Sequence, residues 1–278
     1  MLPTPCTSHV PYERVYEPAE DSFLLLDTLS SAGETAFLAA RFPGGGPPPL
    51  VVEIGPGSGI VLAFLTAHAR ALFARRDVLT FGIDVNKFAC GATASTVAKA
   101  VAAAGHVDEA MTTTTTTAAA AATAAAGGME SKGGHGFFLG AVQGDLAGAV
   151  RGGVVDVLVF NPPYVPTPEV PSLLPSSSPS PLPPGGQTAF EEDSRLLALS
   201  YAGGKDGMET TDRLIDALPA VLSERGCAYL LLCAQNKPEE VKERIRRMEG
   251  GSWKAETVGT SGKQAGWEKL QIVRIWKD

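Results

Sequence analysis

Leu50-Val51-Val52-Glu53-Ile54-Gly55-Pro56-Gly57-Ser58-Gly59 is the stretch that decides the fold of this chain. Its first five residues are apolar apart from one carboxylate, which is typical of a strand buried on both faces of a parallel sheet. The glycines that follow let the backbone turn sharply and approach a ligand closely before a helix begins. Alone, such a loop is compatible with NAD, FAD, a nucleoside or merely a tight turn.

The rest of the chain alternates apolar segments with helical patterns. We predict further buried strands at 79–84, 137–142, 154–160 and 227–233, and more alternating, antiparallel or edge strands at 253–258 and 269–276. Helical periodicity marks 20–30, 59–73, 86–103, 209–223 and 238–248. This alternation predicts an α/β fold, with a mostly parallel sheet covered by helices.

Composition narrows the class of protein. The chain has 278 residues, of which 44% are hydrophobic, enough for a globular core. Its formal net charge is −7 and it has no basic stripe, so direct binding of nucleic acid is not expected. The four cysteines are scattered without a C-x-x-C pair, so we expect neither a metal site nor a disulfide framework. No segment approaches the roughly 20 apolar residues of a membrane span, so we expect a soluble protein without membrane contact.

Two low-complexity stretches interrupt the pattern. Residues 108–134 contain a threonine run and an alanine tract, and residues 166–188 are dominated by proline and serine. Such sequence buries too little varied apolar surface to order itself, although the alanines could form a transient helix. Neither stretch separates halves that look independently foldable, so we expect a single domain over 1–278 with two flexible insertions.

Acidic residues near the ends of strands favour S-adenosylmethionine over a dinucleotide. Glu53 lies beside the glycine loop, where a carboxylate repels a pyrophosphate but attracts a sulfonium or an amino group. Ile60 stands where the dinucleotide fingerprint requires a small residue. Asp84 ends the next strand and can bind ribose hydroxyls, or serve only as a helix N-cap. Asp145 and Leu146 follow the third strand and can contact an adenine, although Asp is also an ordinary turn residue.

Asn161-Pro162-Pro163-Tyr164 follows the very apolar strand that ends at Phe160. The prolines stiffen the loop and remove backbone donors, so carbonyl oxygens of the loop and Asn161 Oδ1 can hold one NH2 group while Tyr164 stacks on it. An amide or adenine nitrogen is a poor nucleophile, so alignment with a methyl group must supply much of the acceleration. The alternative interpretation is a rigid proline turn.

Both loops, together with Val15-Tyr16-Glu17-Pro18-Ala19-Glu20-Asp21-Ser22-Phe23-Leu24-Leu25-Leu26, resemble HemK-type glutamine methyltransferases. The resemblance is strongest to the eukaryotic branch that modifies the class-1 translation release factor. It covers most of the chain outside the two insertions and includes Ala202-Gly203-Gly204-Lys205-Asp206-Gly207. The N-terminal segment is its specific part, because adenine-N6 DNA methyltransferases also have Asn-Pro-Pro-Tyr.

The resemblance implies a class I methyltransferase with a seven-stranded Rossmann-like sheet whose last strand is antiparallel. It implies N5-methylation, with S-adenosylmethionine, of the glutamine in the release factor's Gly-Gly-Gln motif. The expected cofactor contacts are Ser22, Glu53, Gly55, Gly57, Asp84, Asp145, Leu146 and Asn161. The expected substrate contacts are Asn161, Pro162, Pro163, Tyr164 and Val165, with catalysis assigned to Asn161, Pro162 and Tyr164.

The strand predicted at 137–142 is apolar and lacks protective charge or proline. In the usual strand order of such methyltransferases it lies on the sheet edge, where it invites pairing with another chain. The resemblance implies a small zinc-binding activator protein as the partner, so we expect a heterodimer formed by strand addition. The alternative is that the insertion at 108–134 covers this edge. From the substrate, we expect a cytoplasmic location, with the nucleus as a second compartment.

Two further functions stay open at this stage. The same fold can methylate adenine N6 of DNA or a lysine amine, but the chain has no separate basic domain for a duplex and no assigned base for a lysine. A non-catalytic scaffold that retains a cofactor pocket is the other function, and the intact Glu53, Asp84 and Asn161 count against it.

Overall fold

A seven-stranded sheet organises the computed structural model, which describes residues 2–113, 134–173, 187–262 and 269–278. The strands in this described part are β1 (Leu50–Ile54), β2 (Leu79–Asp84), β3 (Phe137–Gln143), β4 (Val155–Phe160), β5 (Leu222–Cys233), β6 (Trp253–Thr260) and β7 (Leu270–Lys277). Their order is β3-β2-β1-β4-β5-β7-β6. Strands β1 to β5 pair in parallel, whereas β7 is antiparallel to both β5 and β6. The predicted Rossmann-like sheet, its antiparallel last strand and its edge strand β3 are therefore confirmed.

Helices pack on both faces of this sheet. They are α1 (Glu20–Leu29), α2 (Ala32–Arg41), α3 (Ile60–Ala67), α4 (Ala69–Phe73), α5 (Lys87–Thr113), α6 (Gln187–Tyr201), α7 (Glu209–Val221) and α8 (Pro238–Arg246). Strand β4 is buried along its whole length. Its Val157 and Val159 join the core formed with α1 to α4, and its Leu158 and Phe160 join the core formed with α7 and α8. In the described part of the chain, no helix is long and apolar enough to cross a membrane.

The helix predicted at 59–73 is in fact two helices, α3 and α4, that meet at His68. In an unbroken helix the Arg70 N–H would bond to the Thr66 carbonyl. Instead it donates to the Gly134 carbonyl, and the Thr66 carbonyl accepts from the Gly136 N–H at 2.7 Å. The segment that enters β3 thus takes over one helical hydrogen bond, which breaks the helix.

Helix α2 was not predicted from the sequence. Its N-cap is Ser31, whose side chain accepts from the Glu34 N–H. The Glu34 carboxylate is buried and binds the Tyr229 hydroxyl at 2.7 Å and the Arg274 guanidinium at 2.8 Å. These contacts join α2 to β5 and β7, so long-range bonds rather than local periodicity hold this helix in place.

The predicted insertions are shorter than expected within the described residues. Helix α5 continues to Thr113, so residues 108–113 are helical rather than loop, and α6 begins at Gln187, inside the stretch 166–188. Residues 166–173 form no helix or strand, as predicted, whereas 114–133 and 174–186 lie outside the described residues. Helix α6 was a second helix that the sequence did not predict.

Close packing of α5 against the glycine loop fixes one of its glycines. Gly59 has φ +77°, and a Cβ there would lie 2.5 Å from Thr93 Cα. Thr93 and Thr96 also donate hydroxyl hydrogen bonds to the carbonyls of Gly57 and Ser58, at 3.3 and 2.6 Å. Only glycine therefore fits between the loop and α5 at this point.

We expect Gly59→Ala to lower the free energy of unfolding by about 3 kcal/mol, because the new methyl group adds backbone strain and a collision with α5. The matched control is Gly33→Ala in α2, where a Cβ meets nothing within 4 Å. It should be neutral or stabilise the protein by up to about 1 kcal/mol. Urea unfolding midpoints measure both, and equal midpoints for the two variants would contradict the packing argument.

Candidate active site

The carboxyl ends of β1, β2 and β4 meet at one edge of the sheet. Strand β1 pairs in parallel with β2 on one side and with β4 on the other. From β1 the chain continues to β2 and β3 on one side, and from β4 it continues to β5 on the other side, so the strand order reverses between β1 and β4. Ligands of open α/β sheets bind at such a switch point. A cavity of about 360 Å³ opens there. Its volume is within the range of small-molecule and cofactor sites.

Asp84 connects the end of β2 to the glycine loop. Its Oδ2 accepts from the Gly57 N–H at 3.1 Å and its Oδ1 from the Asn86 N–H at 2.8 Å. The first turn of α5 is capped by Asn86, whose Oδ1 accepts from the Phe88 N–H at 2.9 Å. Asp84 is therefore a loop-holding residue rather than the N-cap, and its remaining lone pairs are free to accept from the ribose hydroxyls that the sequence predicts.

Glu53 is a buried carboxyl group at the floor of the cavity. It is 2% exposed, and its Oε2 has no hydrogen-bond partner among the described residues. Burial raises the pKa of Glu53 to about 8; a backbone hydrogen bond from Leu62 lowers it and the Asp84 charge raises it further. Burial likewise raises the pKa of Asp84 to about 6, against hydrogen bonds from Asn86 and Gly57. A cation or an N–H donor in the cavity would relieve this cost of burial.

The Asn-Pro-Pro-Tyr loop continues from β4 along the same cavity. Asn161 Oδ1 is buried and has no hydrogen-bond partner among the described residues. Asn161, Pro163, Tyr164 and Val165 line the cavity. Pro162 is buried and lies outside this lining. The Pro162 ring therefore offers no surface to the cavity, and the role predicted for the Pro162 carbonyl stays a prediction.

Asp21 joins α1 to this loop and was not among the predicted site residues. It is 3% exposed and lines the cavity beside Ser22. Its carboxylate accepts from the Ser22 N–H at 2.6 Å, from the Tyr16 hydroxyl at 3.1 Å and from the Tyr164 hydroxyl at 3.5 Å. The sequence marks Asp21 only as an acidic residue inside the N-terminal segment. Its contact with Tyr164 joins residues 143 positions apart, and no local sequence pattern predicts such a contact.

The far side of the cavity brings in helices that the sequence did not connect with the site. Asp145 and Leu146 line it as predicted, but the Asp145 carboxylate also forms an ion pair with Arg213 of α7. An adenine amino group at Asp145 would share the carboxylate with this guanidinium. Helix α6 contributes the side of the cavity formed by Leu196, Leu199, Ser200 and Tyr201. An ion pair of 2.8 Å between Arg14 and Asp193 holds α6 against the N-terminal segment.

These groups fit S-adenosylmethionine. Its ammonium and sulfonium groups match the buried Glu53 carboxyl group, its ribose hydroxyls match Asp84, and the glycine loop allows close approach. A second unpartnered acceptor, Asn161 Oδ1, points to a further N–H donor in the same cavity. The cofactor contacts predicted from the sequence, from Ser22 to Asn161, all line this one cavity. Their individual roles stay predictions.

We expect Glu53→Gln to stabilise the protein without cofactor at pH 8 while weakening cofactor binding more than tenfold. The pKa of Glu53 is about 8 in the folded protein, against an ordinary value of 4.5. Between these pH values Glu53 is ionised in the unfolded chain but protonated in the folded protein, so the free energy of unfolding falls as the pH rises. Each pH unit of this window is worth about 1.4 kcal/mol, so the variant should melt about 4 °C or more above the parent. Calorimetry at pH 8 and pH 4.5 measures this difference, which should vanish at the lower pH.

The same carboxyl group makes cofactor binding pH-dependent. Because a cation binds the ionised carboxylate, affinity in the parent should rise from pH 6 to pH 8 with release of a proton, and titration calorimetry in two buffers measures both. In Glu53→Gln the pH dependence of cofactor affinity should be smaller, because only Asp84 still contributes to it. The control is Glu224→Gln, an exposed residue of β5, which should behave as the parent. A parent with pH-independent binding would contradict the role of Glu53.

Comparisons with known proteins place this site in a family. No protein-family model matches the chain. Methyltransferase HEMK2 of Mus musculus is 32% identical over 99% of this chain and 97% of its own length. The eRF1 methyltransferase catalytic subunit mtq2 of Schizosaccharomyces pombe is 29% identical over 100% of this chain and 96% of its own length. The E. cuniculi Mtq2-Trm112 complex, responsible for methylation of the eRF1 translation termination factor, matches the fold with a TM-score of 0.50 and 20% identity, over 95% of this chain and 99% of that one.

The two kinds of comparison agree with the geometry. The alignment with the mouse protein extends over almost the whole length of both chains, so it spans the parts of this chain that contain the glycine loop, the Asn-Pro-Pro-Tyr loop and the N-terminal segment. The structural likeness independently supports the seven-stranded sheet that brings these segments to one cavity. The chain therefore belongs to the family of HEMK2 and mtq2 methyltransferases.

Proposed function

We propose that this chain transfers a methyl group from S-adenosylmethionine to the side-chain nitrogen of the glutamine in the Gly-Gly-Gln motif of the eukaryotic class-1 release factor. The observation that carries the proposal is a pair of buried acceptors in one cavity, Glu53 Oε2 and Asn161 Oδ1, that have no hydrogen-bond partner among the described residues. The first suits the charged part of the cofactor and the second suits an amide N–H. The names of the yeast and E. cuniculi relatives support the same substrate.

The residues of the loop act by holding the amide rather than by removing a proton before the reaction. S-adenosylmethionine would supply an electrophilic methyl group: its S–CH3 bond breaks as the new N–CH3 bond forms, the sulfur keeps the electron pair, and the nitrogen then loses one proton to solvent. Asn161 Oδ1 accepts from one N–H of the substrate amide, and the Pro162 carbonyl accepts from the other. Both acceptors raise the electron density on the nitrogen and fix its direction of approach. Tyr164, held by Asp21, lies against the flat face of the amide.

The acceptor oxygens of the loop also favour an amide over a lysine amine as the substrate. A lysine ammonium must lose a proton before it can attack, and the described loop offers neutral acceptors rather than a base. A location in the cytoplasm, with the nucleus as a second compartment, follows from the proposed substrate.

The exposed edge of the sheet supports the proposal of an activator subunit. Strand β3 ends the sheet and pairs on one side with β2, and no described strand covers its other side. Its Phe137, Leu139 and Val142 are 50%, 56% and 37% exposed. An apolar open edge favours strand addition by another chain. We propose that a small zinc-binding activator protein pairs with this edge, so that this chain is the catalytic subunit of a heterodimer. The E. cuniculi relative is itself part of a complex, with Trm112.

Replacement of Asn161 by Ala should remove the catalytic acceptor. We expect kcat for the release factor to fall about 100-fold or more, because one preorganised hydrogen bond to the reacting group is worth that much. Cofactor affinity should change less than tenfold, in contrast to Glu53→Gln. Transfer of labelled methyl by the heterodimer measures the rate, and titration calorimetry measures the affinity.

The acceptor itself is tested with the same labelled cofactor. Release factor, its variant with the motif glutamine changed to alanine, and a DNA duplex are offered in parallel, and mass spectrometry locates the modified residue. Label only in the unaltered release factor supports the proposal. Label in the alanine variant or in the duplex would favour the lysine or adenine alternative, and no label in any acceptor would favour a non-catalytic scaffold.

The partner edge is tested by a charged substitution. We expect Leu139→Arg to weaken heterodimer formation with a Trm112-type activator at least tenfold, because it places a charge on the apolar edge of β3. The control is Leu173→Arg, which alters an apolar residue that is 43% exposed but lies outside β3. Co-purification and analytical ultracentrifugation measure both. If the two variants bind the activator equally well, the activator does not bind at the edge of β3.

A further inference from the structure

Asn236 makes hydrogen bonds to distant segments in addition to the bond that caps its own turn. It lies in the short 3-10 turn after β5, is 2% exposed, and does not line the cavity. Its Nδ2 donates to the carbonyls of Tyr164 and Asp206, both at 3.0 Å, and approaches the Gly207 carbonyl at 3.3 Å. Its Oδ1 accepts from the Cys233 N–H at 2.8 Å. One buried amide thus joins the last carbonyl of the Asn-Pro-Pro-Tyr loop to two other segments.

The segment 202–207 supports the same loop from the opposite side. A Cβ at Gly203 would collide with the Pro163 carbonyl oxygen, and a Cβ at Gly207 would collide with that of Tyr164. The Gly203 N–H also donates to the Val165 carbonyl at 2.8 Å. The Pro163 carbonyl therefore lies against the Gly203 backbone, and the Tyr164 carbonyl lies between the Gly207 backbone and the Asn236 side chain.

The backbone on either side of these bonds is strained. Asp206 has φ +55° and Lys237, directly after Asn236, has φ +52°. Residues other than glycine are uncommon in this left-handed region, although Asp tolerates it better than Lys, and residues held there concentrate at functional sites. The Asp206 carbonyl that Asn236 binds belongs to one of these two strained residues. The Asn236 side chain therefore caps its own turn through the Cys233 N–H and also binds a residue in this uncommon conformation on another segment.

We propose that Asn236 is a positioning residue for the methyl transfer, acting through the Tyr164 carbonyl; the proposal rests on the function proposed above. Pro162 and Pro163 fix two φ angles inside the loop, so its remaining freedom lies at its ends. At the start, Phe160 is fixed by its pairing with Ile54 in β1 and Leu230 in β5. At the end, Asn236 fixes Tyr164. A stiff loop held at both ends keeps Asn161 Oδ1 and the Pro162 carbonyl at a set distance from the cofactor.

The test is Asn236→Asp, which keeps the size of the side chain but removes both N–H donors. In the heterodimer with saturating cofactor, we expect kcat to fall about 10- to 100-fold, because a displacement of about 1 Å of the acceptors has an effect of this size. Cofactor Kd should stay within about twofold, since the residues that hold it are untouched. Rates are measured well below the melting temperature and divided by the active fraction from cofactor titration.

The matched control is Asp156→Asn, at the opposite ends of the strands. Asp156 is also buried, and it accepts from the Leu50 N–H at 3.0 Å and the Ser223 hydroxyl at 2.6 Å. We expect it to lower the melting temperature while kcat per active molecule stays within about twofold. This comparison separates a loss of position at the loop from a general loss of stability.

A second variant guards against failure of Asn236→Asp to fold. Gly207→Ala displaces the same Tyr164 carbonyl from the other side. Its control is Gly153→Ala, because Gly153 has a similar φ, +72° against +69°, and a Cβ there meets nothing within 4 Å among the described residues. Gly207→Ala should repeat the loss of kcat with unchanged cofactor Kd.

The outcomes separate the two proposals. Rates are compared on whichever acceptor the parent methylates. Unchanged kcat in Asn236→Asp and Gly207→Ala, or a parallel loss of cofactor affinity, would overturn the role of Asn236. An unmodified release factor alone would overturn only the choice of substrate.

Discussion

The parallel pairing of β1 with both β2 and β4 is the constraint on which the site depends. Because strands in parallel register end at the same edge, Glu53, Asp84 and Asn161 come together although they are far apart in sequence. The Gly57 N–H then bonds to Asp84 and ties the glycine loop to the neighbouring strand. If β1 had other neighbours in the sheet, the carboxyl groups of Glu53 and Asp84 would lie apart from the Asn-Pro-Pro-Tyr loop.

The polar groups of the site suit a bound ligand, and they lower the stability of the protein when no ligand is bound. Glu53 and Asp84 are buried with raised pKa values, and two acceptor oxygens in the cavity have no partner among the described residues. Such groups lower stability unless a donor or a cation satisfies them. The two apolar cores on either face of the sheet supply the stability that offsets them. Catalysis by positioning needs this arrangement, since donors and acceptors must be in place before the reaction.

Much of the fold was accessible from local sequence, and the reason is physical. Strands such as Val155–Phe160 are continuous apolar runs, and the glycine loop has a composition that few other turns need. What sequence reasoning missed depends on long-range bonds. Helix α2 is held through Glu34 by residues more than 190 positions away, and the break at His68 depends on a bond to Gly134. Asp21 and Asn236 act on the substrate loop from outside it, and no periodicity marks such contacts.

The break between α3 and α4 has a consequence for how this chain tolerates change. The Gly134 carbonyl and the Gly136 N–H are hydrogen-bonded to Arg70 and Thr66, so the chain is anchored immediately before it enters β3. The stretch between Thr113 and Gly134 can therefore vary in length or composition without shifting the register of β3. Changes in the length of that stretch would therefore leave the geometry of the edge strand β3 unaltered.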